Sequence, residues 1–352
     1  MSKYISELTI KQYRGINDLR ITNIGEINVL VGNNNVGKTS ILEAIKILSI
    51  PDDIGNLVRV AISRYSGKAA NFMDSLLTIF QANIPDVSEA EKFNIKETYE
   101  LSLGCKTDLK DIKLQIMGSV SEKIDFSKAD EPIKKSFDAS SIIEINGKKV
   151  HHPFSISSYD IEVGNCESIF DALFMPVNTS IYKSCVNLYT DVIKNHNKND
   201  FINIMQIFDK NIYDINIIDE MIWIHNKRNG VMPLFSYGAG MQKALLLGML
   251  VTLSKDGILL VDEIETAIHT TALKDVFSFF VSACKQMRVQ AFVTTHSIEA
   301  IDSFLGVADD MLETMRIMTF RKNDISNKTY ARVMSGNDAL ENRNEYEMEL
   351  RI

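Results

Sequence analysis

INVLVGNNNVGKTSILEAIKIL, residues 27–48, changes character twice along its length. Val29, Leu30 and Val31 read as a buried strand, the stretch from Gly32 to Gly37 as a turn, and Ile41, Leu42, Ile45 and Leu48 as one apolar face at helical spacing. Gly32, Gly37, Lys38 and Thr39 stand at the spacing of a phosphate-binding P-loop. The residue types suit that chemistry. Glycines let the backbone curl so that successive N–H groups face phosphate oxygens, and a helix opening near Lys38 turns its positive end toward the anion. Asn33, Asn34, Asn35, Val36, Gly37, Lys38, Thr39 and Ser40 are therefore the candidate nucleotide-binding run. In this arrangement Lys38 sits on the β and γ phosphates and Thr39 on Mg²⁺.

The chain of 352 residues is long enough for one large or two ordinary domains, and its 45% apolar and 24% charged content is that of a globular protein. A net charge of −8 argues against wholesale coating of nucleic acid or anionic membrane, so any DNA contact needs a local patch. Cys105, Cys166, Cys185 and Cys284 form no CxxC pair, which suggests neither a zinc site nor a disulfide framework and fits a reducing, cytoplasmic compartment. The opening MSKYISELTIKQYRG has no apolar h-region, and the richest apolar run, residues 244–253, is too short to span a bilayer.

Upstream of the loop, residues 6–13 alternate, with Leu8 and Ile10 on one face and Thr9 and Lys11 on the other, predicting a half-buried strand; a second is expected near residues 19–21. Between residues 50 and 230, short alternating runs at 98–103, 113–117 and 142–145 predict an antiparallel sheet, with 121–141 as a solvated Lys- and Asp-rich loop. No repeat and no sustained heptad is present, so no long coiled-coil arm is expected. After Pro233, helices (241–253, 271–284, 297–305) alternate with strands (257–261, 289–295), and a last strand covers 315–320. Strands that are apolar throughout and separated by helices predict a parallel sheet buried on both faces. The acidic tail reads as a surface helix or a partner contact.

Three further stretches carry chemistry. Residues 258–263, ILLVDE, are an apolar run ending in two acids: Asp262 to hold Mg²⁺ through its water shell, and Glu263 to orient and deprotonate the attacking water. Taken alone, the same pattern also describes an ordinary acidic turn after a strand. TTHS at 294–297 follows the next strand, so His296 would emerge at the same carboxyl edge and can bond a γ-phosphate; a helix-boundary or core histidine is the other reading, with Ser297 as N-cap. Finally, FSYGAGMQK at 235–243 opens a helix whose N–H groups at Gly238, Ala239 and Gly240 make a second anion site, although read alone it is a loop.

In this order, the four elements resemble the head of an ABC-type ATPase of the SMC, RecF and OLD kind, over roughly residues 1–50 and 230–352. The opening LTIKQYRGINDL is similar to the strand-and-Arg start of these heads, which implies that Arg14 contacts the nucleotide. VMPLFSYGAGMQKALLL resembles the OLD-like signature loop, and DEIETAIHTTAL resembles their extended Walker B and D-loop, with His269 in a place they fill with His and Thr266-Ala267-Ile268 in place of Asn-Gly-Leu.

The resemblance implies an α/β fold: an ABC-type P-loop NTPase with a mixed sheet, an antiparallel β-lobe and a helical insertion. The ATPase core is split between 1–50 and 230–352, around an inserted region at 51–229. It further implies an ATP- and Mg²⁺-dependent ATPase with Glu263, His296 and Lys38 as catalytic residues, Thr39 and Asp262 on Mg²⁺, and a homodimer or higher homo-oligomer sandwiching ATP. The residues after His296 are too few for the Toprim nuclease domain of OLD nucleases. That points to a separately encoded effector, a nuclease or toxin, as in phage-defence pairs such as PARIS or Septu. A RecF-like DNA recombination and repair ATPase is the alternative.

Overall fold

Strand β3 (Ile27–Val31) is buried at every position because it runs through the middle of a six-stranded sheet with a core on each side. The computed structural model describes residues 4–64, 72–83, 97–124, 133–157, 166–177, 181–307, 309–323, 325–346 and 350. In this central sheet the order is β16 (Thr329–Ser335), β15 (Met315–Lys322), β3, β14 (Gln290–Thr294), β13 (Ile258–Val261) and β9 (Ala172–Met175). All neighbours are parallel except β16, which turns back on β15, so the sheet is mixed. Side chains alternate between two cores: Val29, Val31, Leu259, Val261 and Val293 face one, and Leu30, Ile258, Leu260 and Phe292 the other.

The second core lies between this sheet and an antiparallel sheet of order β2 (Ile16–Ile21), β1 (Ile5–Tyr13), β5 (Thr98–Thr107), β6 (Asp111–Ile124), β7 (Ile133–Ile145) and β8 (Lys148–Ser157), with β4 (Gln81–Asn83) added on β5. Helix α1 (Lys38–Ser49) fills the gap, burying Ile41, Leu42, Ile45 and Leu48 against Leu8, Ile10, Leu103 and Leu114. Each such fully buried side chain contributes about 1.5–3 kcal/mol. Helices α2 (Ile54–Ile62) and α3 (Phe72–Leu77) close the end of this layer.

On the other face of the central sheet lies a helical layer: α4 (Ile181–Lys194), α5 (Lys198–Phe208), α6 (Ala239–Leu253), α7 (Thr270–Met287) and α8 (Ile298–Leu305), with α9 (Asp309–Leu312) and α10 (Gly336–Tyr346) at its edge. The apolar run 244–253 is the buried body of α6, surrounded by α4, α5 and α7. Gly248 makes that closeness workable: a Cβ there would stand 2.9 Å from Met205 Sδ and 3.3 Å from Phe201 Cε2. A small sheet, β10 (Ile212–Ile218), β11 (Met221–Asn226) and β12 (Gly230–Pro233), leads into α6. No helix among the described residues is long and apolar enough to cross a membrane.

The expected solvated loop at 121–141 is corrected by the structure: its described residues extend β6 and β7, pairing Ser121 with Ser136 and Val120 with Phe137, while residues 125–132 lie outside the described residues. The division at residues 50 and 230 remains a proposal, and strand membership crosses it twice. β1 and β2 join the antiparallel lobe, and β9, from the middle of the chain, forms an edge of the central sheet.

Candidate nucleotide site

Gly32 at φ 141°, Asn35 at φ 64° and Gly37 at φ 98° put three left-handed residues into the loop between β3 and α1. Two of these places demand glycine on space as well. A Cβ at Gly37 would lie 2.8 Å from Ile16, and one at Gly32 3.0 Å from the Phe320 carbonyl. Asparagine is the ordinary non-glycine occupant of such a backbone. The loop delivers Lys38, whose Nζ donates to the carbonyls of Gly32 (2.7 Å) and Asn33 (2.9 Å) and stands 3.3 Å from His296 Nδ1. Burial pulls the Lys38 ammonium below the usual lysine range, against the opposing pull of Asp262, Glu263 and Glu265.

Thr39, next in α1, donates to both Asp262 oxygens at 3.1 and 3.0 Å. Thr294, at the end of β14, donates to Asp262 Oδ1 at 2.7 Å and accepts from the Glu263 backbone N–H at 2.8 Å. The first turn of α1 and the ends of β13 and β14 thus meet at one carboxylate. Its pKa is pushed up by burial and drawn back by the two threonine hydroxyls. Among the described residues no group of three or more His, Cys, Asp or Glu forms a dedicated metal cage. A hydroxyl and one carboxylate suit Mg²⁺, which takes few protein ligands and completes its shell with water and phosphate oxygens.

Glu263 has φ 47°, a left-handed conformation that costs a non-glycine residue about 1–2 kcal/mol and turns its side chain toward His296. His296 Nε2 lies 3.1 Å from Glu263 Oε1. An ammonium has only donors, so Nδ1 accepts from Lys38 and the ring proton sits on Nε2, donated to Glu263. The His296 backbone N–H is held by Glu265 Oε1 at 2.9 Å. Ser297 caps α8 as expected, accepting from the Ala300 N–H.

Arg14 lies at the end of β1, where its Nε donates to Glu43 Oε2 at 2.8 Å and its Nη1 to Thr78 at 2.9 Å. Glu43, on α1 and wholly buried, also accepts from Tyr13 Oη (3.0 Å) and takes Arg64 Nε (2.6 Å) and Nη2 (2.9 Å). Arg64 further reaches Ser40 at 3.0 Å. Neither Glu43 nor Arg64 was expected from the sequence. The available signal is the acid itself, set among Leu42, Ala44 and Ile45, because a carboxylate on a buried face requires a cation.

A cavity of 830 Å³ is lined by Arg14, Asn34, Asn35, Gly37, Lys38, Thr39, Ser40, Arg64, Asp262, Glu263, Thr294 and His296, among others. Asn33 and Val36 belong to the same loop without lining it. Gly238, Ala239 and Gly240, at the start of α6, do not line it either, so they and the P-loop do not converge within one chain. Gly238 faces open space, whereas a Cβ on Gly240 would press on Ala272 of α7 at 3.2 Å. His269 caps α7 through its side chain. Ala267, where the resemblance expects glycine, keeps a left-handed φ of 66°. Another concavity, 530 Å³, lies over the antiparallel lobe among lysine–glutamate pairs and holds none of the motif residues.

Residues 4–187 match the family described as "AAA ATPase domain", and residues 180–302 the one described as "AAA domain, putative AbiEii toxin, Type IV TA system". An uncharacterized protein of Methanocaldococcus jannaschii is 37% identical over 68 residues, 19% of this chain and 60% of that protein. The DNA replication and repair protein RecF of Bacillus cytotoxicus is 40% identical over 47 residues, 13% of each chain. The chain thus spans less than two thirds of the length of the curated relatives it matches. Among solved structures, an SMC head bound to the C-terminal winged-helix domain of ScpA superposes at a TM-score of 0.50 with 14% identity, over 96% of this chain and 99% of that one. At that identity the likeness is one of fold.

Proposed function

The chain belongs to the AAA ATPase domain family, and from that premise we propose that it binds and hydrolyses ATP with Mg²⁺ as a dimeric switch for a separately encoded effector. One observation carries this reading: Lys38 and Thr39 from the start of α1, Asp262 and Glu263 after β13, and His296 after β14 come together around one cavity. In the proposed reaction the loop N–H groups and Lys38 hold the β and γ phosphates, while Arg14 and Arg64 add positive charge at the rim. Thr39 and Asp262 would hold Mg²⁺, which supplies charge neutralisation on the phosphates. Glu263 takes the proton of the attacking water, and His296, fixed by Glu263 and Lys38, faces the γ-phosphate.

Two features support a shared site. Gly238–Gly240 stand apart from the cavity of their own chain, and Gly238 is open to an approaching partner. The match of residues 180–302 to a family described as a putative toxin of a Type IV toxin–antitoxin system is in keeping with a switch that works in a toxin-linked setting. The experiment is calorimetric ATP binding with phosphate release. Wild type is expected to bind and hydrolyse ATP, and Lys38→Ala to lose binding because the point charge on the β and γ phosphates is gone. Wild-type affinity in that variant would refute the P-loop assignment.

A second reading, a RecF-like recombination and repair ATPase, is favoured by the local identity to RecF. It predicts that DNA stimulates turnover and that the chain binds DNA at low salt, whereas the switch reading predicts turnover indifferent to added DNA.

A further inference from the structure

A smaller cavity, 230 Å³, shares Asp262 and Glu263 with the nucleotide cavity but none of the P-loop residues. Its walls are mainly apolar, with Met175, Val177, Leu246, Leu250 and Val261 among them, and they carry one ammonium, that of Lys243. Lys243 is only 6% exposed. It sits on α6 five residues past Gly238, and its Nζ donates to the Thr266 carbonyl at 3.0 Å.

Thr266 is bound closely to the acid pair. Its N–H donates to the Glu263 carbonyl at 3.0 Å, and its hydroxyl lies 3.4 Å from Glu263 Oε2. The turn that follows β13 contains two left-handed non-glycine residues, Glu263 and Ala267, on either side of this point. Such backbone persists only where its surroundings hold it. The Lys243 bond ties that turn to another element. Its charge also faces Glu265, the residue that holds the His296 N–H.

A buried ammonium is an expensive tether. Burial pushes Lys243 down to about 8, with Glu265 pulling the other way. An apolar side chain of similar length would escape that desolvation cost but leave the Thr266 carbonyl without its donor and Glu265 without its cation. The lysine therefore has to be explained by what it holds.

We propose that Lys243 is a positioning residue that fixes the Thr266 turn, and through it Glu263, to the seating of α6. The N-terminal turn of α6 carries Gly238–Gly240, so the lysine would transmit contact at that loop to the group that activates water. This inference rests on the ATPase reading for its kinetic consequence but not for its structural one.

The test uses the full chain with Lys243→Met and Lys243→Arg, read by melting temperature, steady-state kinetics and amide exchange of residues 264–268. Lys243→Met is expected to stay folded with a melting temperature near that of wild type, to keep the KM for ATP, to lose at least tenfold in kcat, and to exchange the turn amides faster with or without nucleotide. Lys243→Arg is expected to recover most of the turnover and the protection. Wild-type exchange of the turn in Lys243→Met would overturn the inference, as would a fall in melting temperature in both variants that accounts for the lost activity. If wild type itself hydrolyses no ATP, the ATPase reading fails, and the exchange measurement still decides the tether.

Discussion

Glu43 has no solvent to share its charge with: its carboxylate is enclosed by Tyr13, Arg14 and Arg64. Breaking a buried pair by neutralising one member leaves the other side uncompensated, at a cost of about 3 kcal/mol or more. Glu43→Gln is therefore expected to lower the urea midpoint markedly. Arg64→Gln acts at the solvent-facing end of the cluster, where screening limits the loss to about 1 kcal/mol, and should weaken ATP binding more than stability. A Glu43→Gln midpoint equal to wild type would contradict this division of roles. Lys243 gives a pH prediction whose sign follows from its depressed value. The unfolded chain, at the ordinary 10.5, binds this proton more tightly than the folded chain at about 8, so its contribution to stability rises with pH between those values. Lys243→Met lacks that rise. Its stability relative to wild type should fall between pH 7 and pH 10 by the equivalent of about 2–3 kcal/mol; a constant difference would contradict it. The convergence of Lys38, Thr39, Asp262, Glu263 and His296 on one cavity was legible because the P-loop spacing and the places just after two apolar strands put them at one sheet edge. Arg64 was not, since a lone arginine past the end of α2 bears no mark of the carboxylate it reaches.

Among elements, the two glycines opening α6 have different reasons to be there. A side chain at Gly240 would press on Ala272 of its own chain, whereas a Cβ at Gly238 meets nothing within 4 Å. A bulky Gly240 variant thus damages the fold and says little about assembly. Gly238→Trp should keep the wild-type melting temperature and bind ATP, yet neither dimerise nor hydrolyse it. Mixed with Lys38→Ala, it should regain partial turnover, because the heterodimer has one cavity with an intact P-loop from one chain and an intact signature loop from the other. No recovery at any ratio, with heterodimers seen by light scattering, would count against a site completed in trans. The same contrast of signals explains what was read in the fold. β3, β13 and β14 announce themselves as short apolar runs because both faces are buried. The far half of the β6–β7 hairpin does not, since Ser121, Ser136 and Asp138 bond to one another at its surface and apolar alternation lapses. β9 contributes only four partly buried residues at a sheet edge, too few to register as a strand.

Taken whole, the molecule places α1 between two sheets, so that the loop before it, the acid pair after β13, and Arg14 and Arg64 border one cavity. A net charge of −8 gives the chain no bulk attraction to nucleic acid, and on the proposed switch reading the global change is nucleotide-driven assembly. Such a switch needs its ATP-bound form to be long-lived when hydrolysis is blocked and short-lived when it is not. Glu263→Gln isolates that difference, because the amide keeps the shape of the side chain and loses its ability to accept a proton from water. The decisive measurement is phosphate release from wild type and Glu263→Gln side by side, with molar mass by light scattering in ATP and Mg²⁺. Wild type should release phosphate continuously, and the variant should bind ATP as tightly, release none and accumulate as a dimer; phosphate release from the variant at the wild-type rate would contradict the account.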